Sequence, residues 1–430
     1  MQDPSVFGIP FDFILFALTL AGVAVFHRCT MRVALTGLVT IIIYKIAFTG
    51  FKTGDGVTGF ISHVGHEWVI LVNLLCLLLG FALLSQHFEK SQLPLVLPKF
   101  LPHDWKGGFV LLAMVWVLSS FLDNIAAALI GGAMAHQLFR GKVHIGYLAA
   151  IVAASNAGGS WSVLGDTTTT MMWIAGVAPS QVFEAITAAT VALFVFGIPA
   201  AIKQHRHSPI LKRAHERVHI DWMRIGIVAL ILVVAVATNI TVNTQFPKES
   251  GSFPFIGIAV WAAIVISIGM RRPDWEVLPR ALRSSIFLLS LVLIASMMPV
   301  ERLPDPSPRT TFGLGFVSAV FDNIPLTALA LKQGGYDWGA VAYAVGFGGS
   351  MIWFGSSAGV AISSIFPEAK SVAAWVRGGW FVALAYLVGF AVMLTFVGWH
   401  PEGKKRPRHG QPEWLGDHVT SSKETTWQPR

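Results

Sequence analysis

The residues best equipped for chemistry lie in two pairs of polar stretches that interrupt apolar runs. FLDNIAAAL (121–129) and VFDNIPLTAL (320–329) each carry Asp-Asn-Ile, and serines Ser119 and Ser318 precede the two aspartates by four residues. SNAGGSWSVLGDTTTT (155–170) contains GGSWSVLGDTTT, which aligns without gaps on GGSMIWFGSSAG (348–359). Gly158, Gly159, Ser160 and Gly165 pair with Gly348, Gly349, Ser350 and Gly355. Two matches in the same order and at similar spacing indicate internal duplication.

An unpaired aspartate inside an apolar span costs about 2.5–3.5 kcal/mol on insertion scales, so Asp123, Asp166 and Asp322 call for a compensating cation. Asn124, Asn156 and Asn323, with the hydroxyls of Thr168, Thr169, Ser350 and Ser356, supply the hard neutral oxygens that an alkali ion such as Na+ prefers. The same carboxylate oxygen takes a proton or a metal ion, and competition between the two is the minimal mechanism of cation/proton exchange. The pairs Gly158-Gly159 and Gly348-Gly349 permit the helix to unwind, which frees carbonyls as further ligands. Other readings compete. An Asp-Asn pair also suits the cap of a broken helix, Thr170 suits a bond to its own helix backbone, and Gly131-Gly132 and Gly378-Gly379 suit close helix packing.

These stretches are held by a chain that is 54% hydrophobic and 13% charged, with a mean hydropathy of +0.63. Such a composition excludes an ordinary soluble protein. Apolar runs long enough for membrane helices fall at 9–26, 33–50, 68–88, 108–139, 145–176 and 182–202, then at 222–242, 253–270, 284–300, 311–331, 339–365 and 373–399. The fold class expected is an all-α polytopic membrane protein of two repeats. The run at 108–139 is too long for one crossing and reads as a re-entrant hairpin turning at Asp123; the segment around Asp322 reads likewise, with Pro325 favouring the break. Each repeat then has about five crossings, a hairpin and a broken helix, and an odd number of crossings makes the repeats inverted.

The domains expected are a first repeat at 1–205, with helices at 9–88 and a hairpin and broken helix at 108–202. A basic linker follows at 206–221, then a second repeat at 222–399, divided into 222–300 and 311–399, and a polar tail at 400–430. Lys and Arg cluster at 27–32, 90–106, 140–142, 203–224 and 271–283, which places these stretches in the cytoplasm. The KKRPR of 404–408 disagrees, because ten crossings put the tail outside. Lys45 reads as a snorkelling side chain.

The formal charge of +8 is explained by those topogenic loops, and no nucleic-acid partner is expected. Cys29 and Cys76 form neither a disulfide framework nor a metal spacing. HVGHE (63–67) lacks the order of a zinc protease and reads as outer loop. His205, His207, His215 and His219 read as part of the basic loop rather than as a pH sensor. Neither a nucleotide-binding motif nor a placeable nucleophilic triad is present, so an enzyme is not expected, and no cofactor.

With SSFLDN, NAGGSWSVLGDTTTTMMW, VFDNIP and GGSMIWFGSSAGVA in view, the chain resembles the NhaD-type sodium/proton antiporters. More broadly it resembles the ion transporter superfamily that includes arsenite permeases, citrate transporters and divalent-anion/sodium symporters, over nearly all of 11–399. The resemblance implies a scaffold of the first three spans of each repeat, an elevator-like transport domain of hairpins and broken helices, and a homodimer. It also implies an ion site at Ser119, Asp123, Asn124, Asn156, Asp166, Thr168, Thr169, Ser318, Asp322 and Asn323. The function expected is exchange of cytoplasmic Na+ or Li+ for external H+ in a bacterial inner or plasma membrane. An arsenite permease, or another small-solute or citrate-like permease, is the alternative; aspartates at both hairpin tips would repel an anion.

Overall fold

The computed structural model describes residues 5–6, 9–26, 29–93, 101–210, 219–246, 249 and 252–402. Apolar side chains drive the chain into lipid or core, where each backbone N–H and C=O needs an internal partner, and helices meet that need locally. Apart from a short antiparallel pair, β1 (Ser5–Val6) and β2 (Ile9–Pro10), the described elements are helical.

The first half runs through α1 (Phe11–Val25), α2 (Thr30–Tyr44) with a π-helical end at Lys45–Thr49, and the long α3 (Gly56–Lys90). It continues with α4 (Trp105–Ser119), α5 (Asn124–Leu138), α6 (Ile145–Ser160), α7 (Thr167–Ile174), α8 (Pro179–Phe183) and α9 (Ile186–His207). The second half holds α10 (Trp222–Gln245), α11 (Phe255–Ser267), α12 (Leu278–Ser296), α13 (Pro308–Ser318), α14 (Asn323–Gln333) and α15 (Trp338–Gly348). It ends with α16 (Ser357–Ile365), α17 (Val372–Gly378) and α18 (Trp380–Phe396).

This is a multi-pass membrane protein. By length and composition, five described helices can cross a bilayer: Thr30–Thr49, Gly56–Lys90, Pro179–His207, Trp222–Val242 and Trp275–Ser296. A sixth is available if α17 and α18, bent by 60°, act as one span. These are fewer than the ten crossings expected from the sequence, because α1 and α11 are shorter than their apolar runs and the two broken segments each run as a pair of short helices, α6 with α7 and α15 with α16. The 13 residues of α11 rise only about 20 Å against ~30 Å of hydrocarbon.

The centre of the molecule is α6 and α15. Every residue of α15 and every residue of α6 from Gly146 to Ser160 is buried. Their alanines and glycines let neighbouring backbones approach closely, and α4, α9, α13 and α18 pack around them. A Cβ on Gly131 would fall 2.5 Å from Val115, so α4 and α5 lie folded back on each other. Gly132 faces Ile362, while Gly378 and Gly379 face Ile145 and Ala149, the close-packing role expected of both pairs.

Basic stretches far apart in sequence meet on one face. Lys90 pairs with Asp274 at 2.6 Å and Arg271 with Asp221 at 3.0 Å, and the Asp221 amide donates to the Ser91 carbonyl. The Arg271 guanidinium holds the Asp221 carboxyl below the usual carboxylate range. His205 and His207 end α9, whereas His215, with the rest of 211–218, and the KKRPR tail lie outside the described residues.

Two readings of the sequence need correction. The HVGHE stretch is not an outer loop: it lies within α3, with His63 and Glu67 buried and His63 Nε2 bonded to Ser296 Oγ at 3.0 Å. Lys45 does not snorkel. Its ammonium is 3.3 Å from Asp12, with side-chain exposures of 8% and 6%, and lies over the Phe51 ring. A buried ion pair depends on both members, because the survivor of a single deletion is left charged in a medium that cannot solvate it. Lys45→Met should therefore lower stability by about 3–5 kcal/mol, and Lys45→Met with Asp12→Leu should recover most of that loss. Thermal unfolding in detergent checks both.

Candidate ion site

Each hairpin tip is built in the same way. Asp123 caps α5 by accepting the Ile125 amide at 2.9 Å, and Asp322 caps α14 by accepting the Ile324 amide at 3.1 Å. Capping is thus one task of these carboxylates, the alternative weighed from sequence. Ser119 donates to the Ser155 carbonyl at 2.5 Å, and Ser318 to the Val345 carbonyl at 2.7 Å. Both serines are buried and brace the hairpins on α6 and α15, so they position the site without facing it.

The helix breaks at 161–166 and 349–356 depend on glycine for close approach. A Cβ on Gly158 would collide with the Trp116 carbonyl, and one on Gly348 with the Gly315 carbonyl. Gly159 and Gly349 pack against the carbonyls of Gly165 and Gly355, which close each break onto its hairpin at Ser119 and Ala319. Contact for contact, the two halves repeat.

Asp166 departs from the repeat. It begins α7 without a side-chain capping bond, and its carboxylate faces both hairpins instead. Asn124 Nδ2 donates to Oδ1 at 3.2 Å, while Asn323 Nδ2 and Thr168 Oγ1 donate to Oδ2 at 3.1 and 2.8 Å. Asn156 accepts from Asn124 at 3.1 Å and donates to Ser350 Oγ at 3.0 Å, joining the two broken helices. The aligned residue to Asp166 is Ser356, which accepts the Gly359 amide as the cap of α16. The aligned residue to Asn156 is Gly346, whose Cβ would lie 3.2 Å from Ser160. One carboxylate and one amide therefore serve a site that two half-sites enclose.

Asp166 is 2% exposed, and among the described residues no lysine, arginine or histidine forms an ion pair with it. Its three donors are neutral. Thr169, expected as a ligand, spends its hydroxyl on the carbonyls of Ser162 and Asp166 at 2.7 and 2.9 Å, bracing the break. Thr170 donates to the Val163 carbonyl across the break rather than along its own helix. Ser357 donates to Asp322 Oδ2 at 3.2 Å.

A cavity of about 260 Å³ opens beside Asp123, Asp166 and Asn323, walled by α3 at Leu77 and Phe81 and by α12 at Leu288. It extends to the exposed Arg280 and Ser284, at the end of α12 that follows the basic stretch. Sequence reasoning missed a second polar cavity, about 240 Å³, where Asp12, Lys45, His63 and Lys332 meet. Its members come from α1, the end of α2, α3 and α14, and no local motif marks them. Lys332 donates to the carbonyls of Ser296 and Met298 at the end of α12.

Comparison with known proteins bears on this arrangement. No family model matches the chain. It is 27% identical over 299 residues to sodium/proton antiporter 1 of Arabidopsis thaliana, covering 60% of this chain and 49% of that protein. It is 26% identical over 316 residues to the Na(+)/H(+) antiporter NhaD of Vibrio parahaemolyticus, covering 60% and 72%. Over about 60% of its length the chain is similar to NhaD-type antiporters. Sodium/proton antiporter 2 of Arabidopsis thaliana is 26% identical over 306 residues, 61% of this chain and 69% of that protein. The chain spans about half the length of the first of these relatives.

The close contacts at the breaks are testable. Gly158→Val and Gly348→Val should each destabilise by at least about 1–3 kcal/mol, the usual cost of overpacking, since backbone must move. Gly313→Ala, with nothing within 4 Å, should be neutral or slightly stabilising. Thermal stability of the detergent-purified variants distinguishes these outcomes.

Proposed function

We propose that the protein is a secondary transporter, not an enzyme, exchanging cytoplasmic Na+ or Li+ for external H+ at Asp166 with Asp123 and Asp322. The observation that carries this reading is the buried Asp166 carboxylate held by neutral donors alone. A charge so placed is stable only if a proton or a cation joins it. Turning over the amides of Asn124 and Asn323 would replace two donors with two oxygens, suited to an alkali ion, with Ser350 behind Asn156.

Charge accounting separates this from the anion alternative. The N-termini of α5, α7, α14 and α16 all begin at this site, preceded by Asp123, Asp166, Asp322 and Ser356. Each helix end contributes about half a positive charge. On their own, four such ends would favour an anion. Three ionised aspartates against roughly +2 leave about −1, which suits one monovalent cation or one proton at a time.

The names of the relatives support sodium and protons as cargo. The duplicated hairpins and breaks support two inverted repeats, and the cavity against α3 and α12 supports an inward-open state of a transport domain sliding on a scaffold. The homodimer and the plasma or inner membrane follow from the family resemblance.

The deciding experiment is collapse of a pH gradient in inside-out vesicles from a strain lacking its own sodium antiporters. Sodium or lithium should collapse the gradient with the native protein, and Asp166→Asn and Asp123→Asn should reduce the response to that of empty vesicles. Native-like exchange in both variants would overturn the site. Silence of the inserted native protein toward every cation would favour arsenite or a small anion instead.

Competition also sets the direction of pH dependence. The protonated carboxylate excludes the ion, so apparent sodium affinity should fall as pH falls, by up to about tenfold per unit below the pKa of the shared group. An apparent KM for sodium independent of pH would remove direct competition from the mechanism.

A further inference from the structure

Away from the ion site, Glu184, Asp337 and His400 offer metal-ligating atoms that all lie within 4.8 Å of one another. They come from three separate places: the end of α8, the start of α15, and the turn after α18. We propose that they form a binding site for a divalent transition-metal ion of the Zn2+ class, which ties the end of α18 to both halves of the molecule.

The local construction is specific. Asp337 is 1% exposed and its carboxylate is oriented by two amides, Ala340 N at 2.9 Å and His400 N at 2.8 Å. The second of these places His400 beside the carboxylate, after the turn that Gly398 makes at φ +94°. Gly339 admits the third ligand, since a Cβ there would lie 3.0 Å from Glu184 Cβ and 2.8 Å from the Gln181 carbonyl. Among the described residues, no hydrogen bond occupies the Glu184 carboxylate or the His400 ring, and no lysine or arginine ion pair offsets the two carboxylates.

Two carboxylate oxygens and an imidazole nitrogen form a mixed hard and borderline donor set that suits Zn2+ better than Na+ or Mg2+. Shifts of under about 1 Å would bring the three atoms to the usual ~2.0–2.2 Å from one ion, leaving a fourth position for water. The amides on Asp337 act as outer supports that fix its orientation. The proposal is independent of what the central site transports.

The test is equilibrium dialysis of the tag-free, full-length protein in detergent against micromolar Zn2+, with thermal unfolding followed with and without the ion. One tight equivalent and an upward shift in Tm are expected. Glu184→Gln and His400→Gln should each weaken binding by at least about tenfold, the loss that even an outer support of a ligand can cost, and should abolish the shift. His66→Gln, an exposed histidine on α3, should leave both unchanged. Absence of tight binding in the native protein, or native-like binding in both ligand variants, would overturn the proposal. Should His400→Gln fail to fold, Glu184→Gln alone decides.

Discussion

The structure depends on polar backbone and one carboxylate being held in a medium that solvates neither. Unwinding a helix at membrane depth exposes N–H and C=O groups that hydrocarbon cannot satisfy. Here the breaks are enclosed by their own hairpins: Gly165 against the Ser119 carbonyl, Gly355 against that of Ala319, and Thr169 and Thr170 bonded back across the first break. The same enclosure delivers Asn124 and Asn323, one from each hairpin, to opposite oxygens of Asp166. The fully buried α6 and α15 serve this end. Their small residues let the hairpins seat closely enough for the amides to reach.

The parts legible in sequence are those that the chain writes twice. The Asp-Asn-Ile tips and the Gly-Gly-Ser breaks stand out because each polar interruption in an apolar run has a copy, and a copy filters chance. Asp166 and Asn156 were legible as polar residues at a break, but their partners were not, since Asn323 is 157 residues from Asp166 in the chain. Thr169 illustrates the limit: its type suits a ligand, and only geometry reveals that its hydroxyl braces the break. The Asp12–Lys45 pair, the His63–Ser296 contact and the meeting of Glu184, Asp337 and His400 are unions of distant segments with no local pattern. Hydropathy marks where a chain is apolar, not how much of it stays one continuous helix, so the apolar runs outnumber the helices long enough to cross alone.

Departure from the repeat concentrates at the centre. Where the first half has Asn156 and Asp166, the second has Gly346 and Ser356, and the small residues make room for the larger ones across the interface. Two full half-sites would crowd a fourth carboxylate against Asp166, and like charges at that distance cannot all remain ionised. The asymmetry keeps one central carboxylate within a duplicated frame.

Four helix N-termini meeting at one cavity have a consequence for the whole architecture. The backbone supplies a fixed positive field, and a few side chains decide how far it is overturned. With aspartates at the caps the cavity would favour a cation; with neutral Ser, Asn or Thr in the same places, an unchanged backbone would present an anion-binding nest. A change in the sign of the cargo then needs only a handful of substitutions at helix caps, so one frame can diversify across cations, neutral solutes and anions without a new fold.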